Sequence, residues 1–443
     1  MLPDHLRQDI LALVRQQVVP AIGCTEPICV ALATARATER LGTLPARIKA
    51  RLSPNILKNA MGVGIPGTGM VGLPIAIALG ALVGRSAYGL EVLRDSTPAD
   101  VEAGKRFIDE GRIAIALAHD TTEKLYVEVT VSDETGREER ATIAREHTKF
   151  VDCDSSFGTE PPSENCPLTP HVSDAGSGGN EQQSHDSDIG ARLNLRMVYD
   201  FATTSPIEEL AFINEAGTIN MQASALSLKG NYGHSLGKVL TRPLGRGIMG
   251  DNIFSHILSA TSSACDARMA GAMIPVMSNS GSGNQGICAT NPVMVFAGEN
   301  HNTDEELTRA LMLSHLTAIY IKQHLGTLSA LCGCVVASTG SACGITLLMG
   351  GNYDHVAAAV KNMIANLTGM ICDGAKPSCA LKLTSGVSTA VLSAMLAMQG
   401  ECVSSVEGII DDCVDKSIRN LAEIGKNAMN ETDRKVLDIM TSK

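Results

Sequence analysis

The pattern of apolar and polar positions predicts alternating helices and strands over the first 150 residues. Apolar side chains at Leu6, Ile10, Leu13 and Val14 follow the period of a helix. Other short segments are rich in β-branched residues and are bounded by polar residues and glycines, which is typical of strands. The predicted helices span residues 6–19, 28–41 and 76–84, and the predicted strands span residues 47–52, 113–116 and 125–131.

Two connecting segments in this region have a distinctive composition. Residues 122–146 contain two extended runs on either side of Asp133-Glu134-Thr135-Gly136, which is the pattern of a hairpin. Residues 61–72 carry five Gly and one Pro, so we expect a loop that lies over a site. Residues 1–151 are therefore predicted to form an N-terminal domain that mixes helices with a sheet.

The chain changes character after residue 151. Residues 152–190 are dominated by small and polar residues, which predicts a disordered surface insertion. Four possible metal ligands lie in or beside it, in a spacing that fits no metal-site pattern: Cys153, Cys166, His171 and His185. Residues 191–443 are mostly helical in pattern, with no evident strand. The predicted fold class is α+β, with a mainly helical second domain.

Composition and charge exclude several classes of function. Hydrophobic residues make up 44% of the 443 residues, but only 3% are aromatic and Trp is absent, which suits close packing of helices. The net charge is −11 and no run of Lys or Arg exceeds two residues, which argues against a nucleic-acid partner. The sequence shows neither a signal-peptide pattern nor a good membrane span, so we expect a cytoplasmic protein.

The chain contains 13 cysteines, an unusual number for a protein expected in a reducing compartment, where disulfides are rare. Free cysteines often behave as small buried hydrophobic residues. This interpretation suits Cys29, Cys265, Cys402 and Cys413, whose neighbours suggest no chemistry. The other cysteines have to be judged by their surroundings.

Cys372 and Cys379 bracket a turn that contains Gly374 and Pro377. An iron–sulfur cluster needs thiolates that converge from turns, and Cys332 or Cys334 in a Gly-containing bend is a candidate third ligand. Spacing alone leaves three possibilities open. They are a cluster, a zinc site completed by His315 or His324, and a cysteine-rich core without metal.

A second candidate site is the polar loop at residues 277–286. Backbone N–H groups of a Gly-rich turn form a concavity suited to an anion, and side-chain amides add donors. A carboxylate or phosphate would fit, but the Lys-Ser/Thr ending of a P-loop is missing. The candidate substrate-binding residues here are Ser278, Asn279, Ser280, Gly281 and Asn284.

A third candidate is Cys24, in the segment Gly23-Cys24-Thr25-Glu26-Pro27. A thiol at a helix start can have a lowered pKa, which would make Cys24 a competent base or nucleophile. Glu26 is an alternative base. The structural alternative is an ordinary helix N-terminus, with Thr25 as the cap and Pro27 in the first turn.

The C-terminal motifs resemble the α-domain of iron–sulfur L-serine dehydratases over roughly residues 250–430. The resemblance rests on residues 264–268, Pro275, residues 278–286, Cys332-Gly333-Cys334, residues 369–373 and Pro377-Ser378-Cys379. The N-terminal part lacks the Ser-Ser-Ser-His-Thr type of motif of those enzymes. Its Gly23-Cys24-Thr25-Glu26-Pro27 segment resembles the L-cysteine desulfidase family instead.

This resemblance implies a [4Fe–4S] cluster on three cysteines, with Cys24 as the proton acceptor. The implied ligands are Cys372, Cys379 and either Cys332 or Cys334, and the spacing to the following helix slightly favours Cys332. The implied reaction is α,β-elimination from L-cysteine, a small amino-acid substrate, without pyridoxal phosphate. Weaker candidates for binding its carboxylate are Lys229, His234 and Arg268.

Several alternatives remain beside this hypothesis. L-Serine is the nearest rival substrate, because nothing in the sequence distinguishes sulfur from oxygen. A zinc- or redox-sensing binding protein without turnover would use the same thiols. A pyridoxal-phosphate lyase is disfavoured, since Lys229 and Lys382 lack a nearby phosphate-binding motif. Ala-rich helices give a weak indication of a homodimer.

Overall fold

The computed structural model describes residues 2–151, 186–326 and 329–442, with residues 186–188 described by their backbone only. Most of the predicted insertion, including Cys153, Cys166, His171 and His185, lies outside the described residues. Its last residues belong to a helix, Asp186–Arg192, so the predicted boundary at residue 190 falls inside a helix.

Nineteen helices and six strands account for most of the described chain. The helices are α1 (Asp4–Gln17), α2 (Thr25–Leu41), α3 (Pro54–Ala60), α4 (Leu73–Leu82), α5 (Pro98–Asp109), α6 (Asp186–Arg192), α7 (Leu195–Thr204), α8 (Ile207–Leu210), α9 (Asn214–Lys229), α10 (Leu236–Thr241), α11 (Pro243–Met249), α12 (Ile253–Met269), α13 (Gly283–Glu299), α14 (Asp304–Leu325), α15 (Gly333–Leu348), α16 (Tyr353–Leu367), α17 (Cys379–Met398), α18 (Val414–Glu423) and α19 (Asn430–Thr441). The strands are β1 (Pro20–Ile22), β2 (Arg47–Leu52), β3 (Ile113–Leu117), β4 (Tyr126–Ser132), β5 (Glu138–Ala144) and β6 (Pro275–Met277).

The predicted α+β class is confirmed, and the six predicted elements agree with the structure to within a few residues. The hairpin predicted around residues 133–136 joins β4 to β5. The expectation that no strand occurs beyond residue 191 is wrong, because β6 pairs with β1 in antiparallel register, with Ala21 opposite Val276. Neither strand was predicted, since three residues are too few to show an alternating pattern.

The N-terminal sheet has the strand order β3-β2-β4-β5. Its central strand β2 is parallel to β3 and antiparallel to β4. Ile48, Ala50 and Leu52 alternate with more exposed residues along β2, so one face of the strand is buried. Helices α2 and α4 cover this face and complete the first hydrophobic core.

The second core is built from helices, with α15 at its centre. This helix is formed by small and aliphatic residues without a charge, and α13, α14, α16 and α17 pack around it. Helix α1 also belongs to this core, although it lies at the other end of the chain. The boundaries of the predicted domains stay a prediction. The N-terminal part contributes α1 to the second core and α2, α4 and the sheet to the first.

The two cores meet where the glycine-rich loop 61–72 lies against the end of α12. The amide of Gly64 donates to the carbonyl of Met269, and that of Gly67 donates to the carbonyl of Gly271. A Cβ on Gly64 would lie 2.4 Å from the carbonyl carbon of Ala270. The loop therefore approaches α12 backbone against backbone, and only a glycine fits at this point. This contact is called the glycine seam below.

Helix α17 is the one described helix that is long and apolar enough to cross a membrane by length and composition alone. Of its apolar window, 56% is buried inside the protein, and the core helix of a protein that spans no membrane passes the same test. This helix begins at Cys379, so its N-terminus forms part of the site described below.

The close packing of α14 on α15 predicts a large effect of one methyl group. A Cβ on Gly340 would lie 2.2 Å from the backbone oxygen of Ser314, so Gly340→Ala should destabilise the protein by about 1–3 kcal/mol. The control is Gly298→Ala in α13, where a Cβ meets nothing within 4 Å. Its better helix propensity should be neutral or stabilising by ~0.5–1 kcal/mol. Thermal denaturation followed by circular dichroism measures both, and equal melting temperatures would contradict the packing.

Candidate active site

One cavity of about 120 Å³ brings together residues from both ends of the chain. Cys24 lies in its wall, and the C-terminal thiols that line the same cavity are Cys332, Cys334, Cys372 and Cys379. Of the five predicted substrate-binding residues of the polar loop, Ser280, Gly281 and Asn284 line it as well.

Cys24 is held at the N-terminus of α2 by the loop that precedes it. It is the N-cap residue, so Thr25 is the first helical residue rather than the cap. Gly23 has a φ of +75°, and a Cβ there would lie 2.5 Å from Cγ of Pro66 in the glycine-rich loop. Gly23 is therefore required both by its conformation and by the close approach of Pro66. The thiol of Cys24 donates to Oε2 of Glu26 over 2.9 Å.

The expected lowering of the Cys24 pKa is not found. Burial of the thiol raises its pKa well above the usual value, and the carboxylate of Glu26 raises it further, while Arg268 opposes both effects. A helix N-terminus alone does not outweigh desolvation and a neighbouring negative charge. Cys24 is therefore a protonated thiol in this structure, and its S–H group is hydrogen-bonded to the carboxylate of Glu26.

Glu26 is the centre of a polar cluster in the cavity wall. Its oxygens accept hydrogen bonds from Cys24, from Oγ1 of Thr25 over 3.1 Å and from Nδ2 of Asn59 over 3.1 Å. Desolvation favours the protonated form, but His147, the bond from Cys24 and Arg268 outweigh it, so the pKa of Glu26 is lowered. Glu26 is thus an ionised acceptor next to the candidate base.

The polar loop leaves β6 and turns sharply into α13. Ser280 has a φ of 49° and Gly281 one of 76°, which places both at the tip of the turn, facing the cavity. Ser278 and Asn279 do not line the cavity. Oγ of Ser278 donates to the carbonyl of Val19, and Nδ2 of Asn279 donates to the carbonyl of His315. These two residues hold the loop in place, so the structure does not give them the substrate contact that the sequence predicted.

Arg268 connects the loop to the Cys24 segment. Its Nη1 donates to Oδ1 of Asn284 over 3.0 Å, and its Nη2 donates to the carbonyl of Gly23 over 2.9 Å. The other two predicted carboxylate ligands, Lys229 and His234, are exposed and lie outside the cavity. Of the three cations named from the sequence, only Arg268 is placed to act on a substrate there.

The C-terminal thiols converge because two loops pair through their backbones. The amide of Cys332 donates to the carbonyl of Met370 over 2.9 Å, and the amide of Cys372 donates to the carbonyl of Ala330 over 2.6 Å. Cys379 then begins α17. Three thiols from three different segments are thereby aimed at one space, as the sequence hypothesis required.

Cys332 and Cys334 differ in their surroundings. Their sulfurs are 3.5 Å apart, and the bond between them lowers the pKa of Cys332 and raises that of Cys334. The Cys334 sulfur also lies 3.3 Å from Sδ of Met370 and 3.4 Å from the carbonyl of Lys382. Cys334 is therefore engaged in packing, and Cys332 is the thiol more easily ionised.

A buried lysine supports the loop that carries Cys372. Lys58 is 2% exposed, and its Nζ donates to the carbonyl of Cys372 over 3.2 Å and to Asp433 of α19 over 2.5 Å. A Cβ on Gly374 would lie 2.3 Å from the carbonyl oxygen of Lys58. Helix α3 of the N-terminal part thus fixes the cysteine loop, and α19 fixes α3.

The donors in the cavity wall include thiols, which are the usual ligands of an iron–sulfur cluster. Among the described residues, no three His, Cys, Asp or Glu side chains form a group that could hold one metal ion. His315 is bonded within the protein to Asn279 and Thr290, and burial lowers its pKa to about 3. Neither His315 nor His324 lines the cavity, so the two histidines proposed for zinc do not join the thiols.

Several residues of the cavity wall were missed from the sequence, namely Asn59, His147 and Lys322, whereas Ser282 and Gln285 lie in the predicted polar loop. Lys322 had a recognisable signal, because it is a lone charge on the buried face of an apolar helix. Burial lowers its pKa to about 8. His147 follows β5 in a short polar turn, and nothing in its sequence neighbourhood points to a site.

Comparison with known proteins agrees with this geometry. The pattern of the serine dehydratase alpha chain family matches residues 87–438. The chain belongs to this family. The matched region contains Arg268, the polar loop and the C-terminal thiols. Membership supports an enzyme of the lyase type, with the mixed fold seen here, and the family is associated with iron–sulfur serine dehydratases.

Proteins that are similar to this chain over nearly its whole length include several named UPF0597. That of Bacteroides thetaiotaomicron is 64% identical over 437 residues, covering 99% of this chain and 98% of the relative. That of Porphyromonas gingivalis is 50% identical and covers 99% of both chains. That of Oleidesulfovibrio alaskensis is 45% identical and covers 97% of both. Each similarity spans nearly the whole chain, whereas the family match begins at residue 87.

The pairing of Cys24 with Glu26 predicts how this family member responds to loss of the carboxylate. In Glu26→Gln the negative charge beside the thiol is gone, so the pKa of Cys24 should fall and its alkylation at pH 8 should be roughly 3- to 10-fold faster. The rate is measured on the Cys24 peptide by mass spectrometry after treatment with iodoacetamide. Glu39→Gln, at the far end of the same helix, should leave it unchanged. A slower or equal rate in Glu26→Gln would show that the carboxylate does not raise this pKa.

Proposed function

We propose that the protein is an iron–sulfur-dependent lyase that converts L-cysteine to pyruvate, ammonia and sulfide without pyridoxal phosphate. The observation that carries the proposal is the single cavity that Cys24 shares with Cys332, Cys372 and Cys379. A base and a set of metal-binding thiols face one space, which is the arrangement that an elimination with an activated leaving group requires.

Cys332, Cys372 and Cys379 are the residues that would hold a [4Fe–4S] cluster. Thiolates are the usual ligands of such a cluster, and these three come from three different segments of the chain. A bound cluster with an open iron would supply a Lewis acid for the leaving sulfur or oxygen. Sulfur is a soft donor that suits iron, which supports cysteine as the substrate.

The remaining steps belong to side chains of the protein. Cys24 passes its proton to Glu26 over 2.9 Å, and the thiolate then removes the α-proton of the substrate. The raised pKa of Cys24 makes its thiolate a strong base but opposes the first proton transfer, and the positive charge of Arg268 favours that transfer because it lowers the pKa of Cys24. As the Cα–H bond breaks, its electrons form the Cα–Cβ double bond and the Cβ–S bond breaks.

The product of elimination is 2-aminoacrylate, which tautomerises to an imine and takes up water to give pyruvate and ammonia. The negative charge that develops next to the substrate carboxylate has to be stabilised by fixed donors. Arg268, Ser280, Gly281 and Asn284 are the groups of the cavity wall proposed for this role.

L-Serine dehydration is the second candidate, and the family match favours it. The family is described as the serine dehydratase alpha chain, and the matched residues include all the proposed cluster ligands. The same base and the same thiols would serve a hydroxyl leaving group. The difference between the two functions lies only in the atom that leaves.

Turnover of the two amino acids tests the function and the base together. Anaerobically purified protein should release pyruvate and sulfide from L-cysteine faster than it releases pyruvate from L-serine. Cys24→Ala should lower the rate by at least ~100-fold while retaining iron, because general base catalysis is lost. Cys29→Ala removes a fully buried thiol of the same helix that lies outside the cavity, and it should keep the activity. Faster turnover of L-serine would assign the protein as a dehydratase.

Iron and acid-labile sulfide contents test the thiol assignment. The anaerobic protein should be brown and contain about four irons and four sulfides per chain. Cys332→Ala, Cys372→Ala and Cys379→Ala should each lose most of both, whereas Cys334→Ala should retain them because that sulfur is engaged with Met370. Cys343→Ala in the core of α15 is the matched control. A colourless protein that holds one zinc would reject the cluster, and a cluster lost only in Cys334→Ala would exchange the two assignments.

A further inference from the structure

Four polar side-chain atoms in the wall of the active-site cavity are buried and have no hydrogen-bond partner. They are Oδ1 of Asn59, Nε2 of His147, Nε of Arg268 and Oε1 of Gln285. A buried polar atom without a partner costs free energy, so native proteins rarely leave one without a reason. Four such atoms around one cavity indicate a ligand that supplies the missing partners.

The chemistry of two of these atoms is fixed by their surroundings. The guanidinium of Arg268 can only donate, so its unpaired Nε needs an acceptor. The amide of Asn59 is oriented by Glu26, since Nδ2 donates to a carboxylate that can only accept. Oδ1 of Asn59 is therefore the free end, and it needs a donor. The cavity thus presents an unused donor and an unused acceptor close to Cys24.

His147 adds a third polar group to the cavity wall. It lies beside the tip of the polar loop, where a Cβ on Gly281 would be 3.8 Å from its Nδ1. It also interacts electrostatically with Glu26, which is bonded to Cys24. Its free Nε2 therefore belongs to the same space as Arg268 and Asn59. A neutral imidazole in the Nε2–H tautomer donates there.

We propose that this set recognises the zwitterion of an α-amino acid, with Nε2 of His147 and Nε of Arg268 donating to the α-carboxylate and Oδ1 of Asn59 accepting from the α-ammonium group. This assignment rests on the proposed function, and it identifies the substrate class as free α-amino acids. The negative charge of Glu26 lies next to Asn59 and attracts an ammonium group on that side. The side chain of Gln285 packs against Gly333, which lies between Cys332 and Cys334 in the sequence. In this assignment it would face the side chain of the substrate.

In this assignment, residues from both halves of the protein bind one small molecule. Asn59 and His147 come from the N-terminal part, and Arg268 comes from α12 of the helical part. A peptide or a protein segment would place a neutral amide where the charged groups are expected, and it would leave the four atoms poorly matched. The specificity is therefore for a free amino acid rather than for a residue within a chain.

Binding of non-reactive ligands tests this assignment without any turnover. L-Alanine carries both charged groups and no leaving group, L-alaninamide lacks the carboxylate charge, and L-lactate has a hydroxyl in place of the ammonium group. Isothermal titration calorimetry with the anaerobic holoprotein should show the tightest binding for L-alanine. His147→Ala should weaken L-alanine roughly tenfold and L-alaninamide much less, and Asn59→Ala should weaken L-alanine roughly tenfold and L-lactate much less.

Matched variants separate recognition from folding. Thr38→Val removes a buried, unpartnered hydroxyl that lies outside the cavity, and it should change no affinity. His147→Gln keeps an N–H donor, so it should retain part of the preference for L-alanine over L-alaninamide, with unchanged iron content. If His147→Ala fails to fold, His147→Gln replaces it as the test. If His147→Gln prefers L-alanine over L-alaninamide as strongly as the Cys29→Ala control does, the proposed contact between His147 and the α-carboxylate is wrong.

The outcomes also distinguish this inference from the proposed function. Wild-type turnover of L-cysteine or L-serine, combined with unchanged L-alanine affinity in both His147→Ala and Asn59→Ala, would overturn the recognition set and leave the function standing. A holoprotein that binds none of the three ligands and turns over neither amino acid would overturn both. Selective loss of L-alanine binding in the two variants supports the recognition set even where turnover is slow.

Discussion

The glycine seam joins the two halves of the molecule beside the active-site cavity. Gly64 and Gly67 bond directly to backbone carbonyls at the end of α12, at a distance that admits no side chain. The neighbouring Pro66 touches Gly23, so the same loop also sets the position of Cys24. The loop thus sets the distance between the Cys24 segment and the end of α12. Chemistry that needs a base within reach of a metal-bound leaving group depends on that distance.

Burial organises the charges around the cavity. Desolvation raises the pKa of Cys24 and lowers that of Lys322, so the charged form of each side chain is disfavoured. Glu26 is the exception, because Cys24, Asn59, His147 and Arg268 surround its carboxylate and favour the ionised form. The carboxylate is therefore the fixed negative charge of the site. It orients the thiol on one side and, in the recognition proposed here, the ammonium group of the substrate on the other.

Much of the fold followed from the sequence where the pattern was long enough to be read. The strand at residues 47–52, the hairpin at residues 122–146 and the helices α1, α2 and α4 were predicted because alternation and helical periodicity persist over a full element. Helices α3 and α5 of the same region were missed. The pairing of β1 with β6 was missed, since three residues carry no period. The site was recognised in part: the thiols, Cys24 and the tip of the polar loop line one cavity, but Ser278 and Asn279 serve the scaffold, and Lys229 and His234 lie elsewhere.

The sequence by itself determined the local chemistry: which turns carry thiols, which loop is rich in donors and which segments are helices or strands. These properties depend on residues close together in the chain. Only the tertiary structure decided which of these groups share a space. It placed Asn59, His147 and Arg268 around Glu26, engaged Cys334 with Met370, and raised the pKa of Cys24 where a helix N-terminus alone suggested a lower value. Burial and long-range contacts are properties of the packed chain, and they have no local signature.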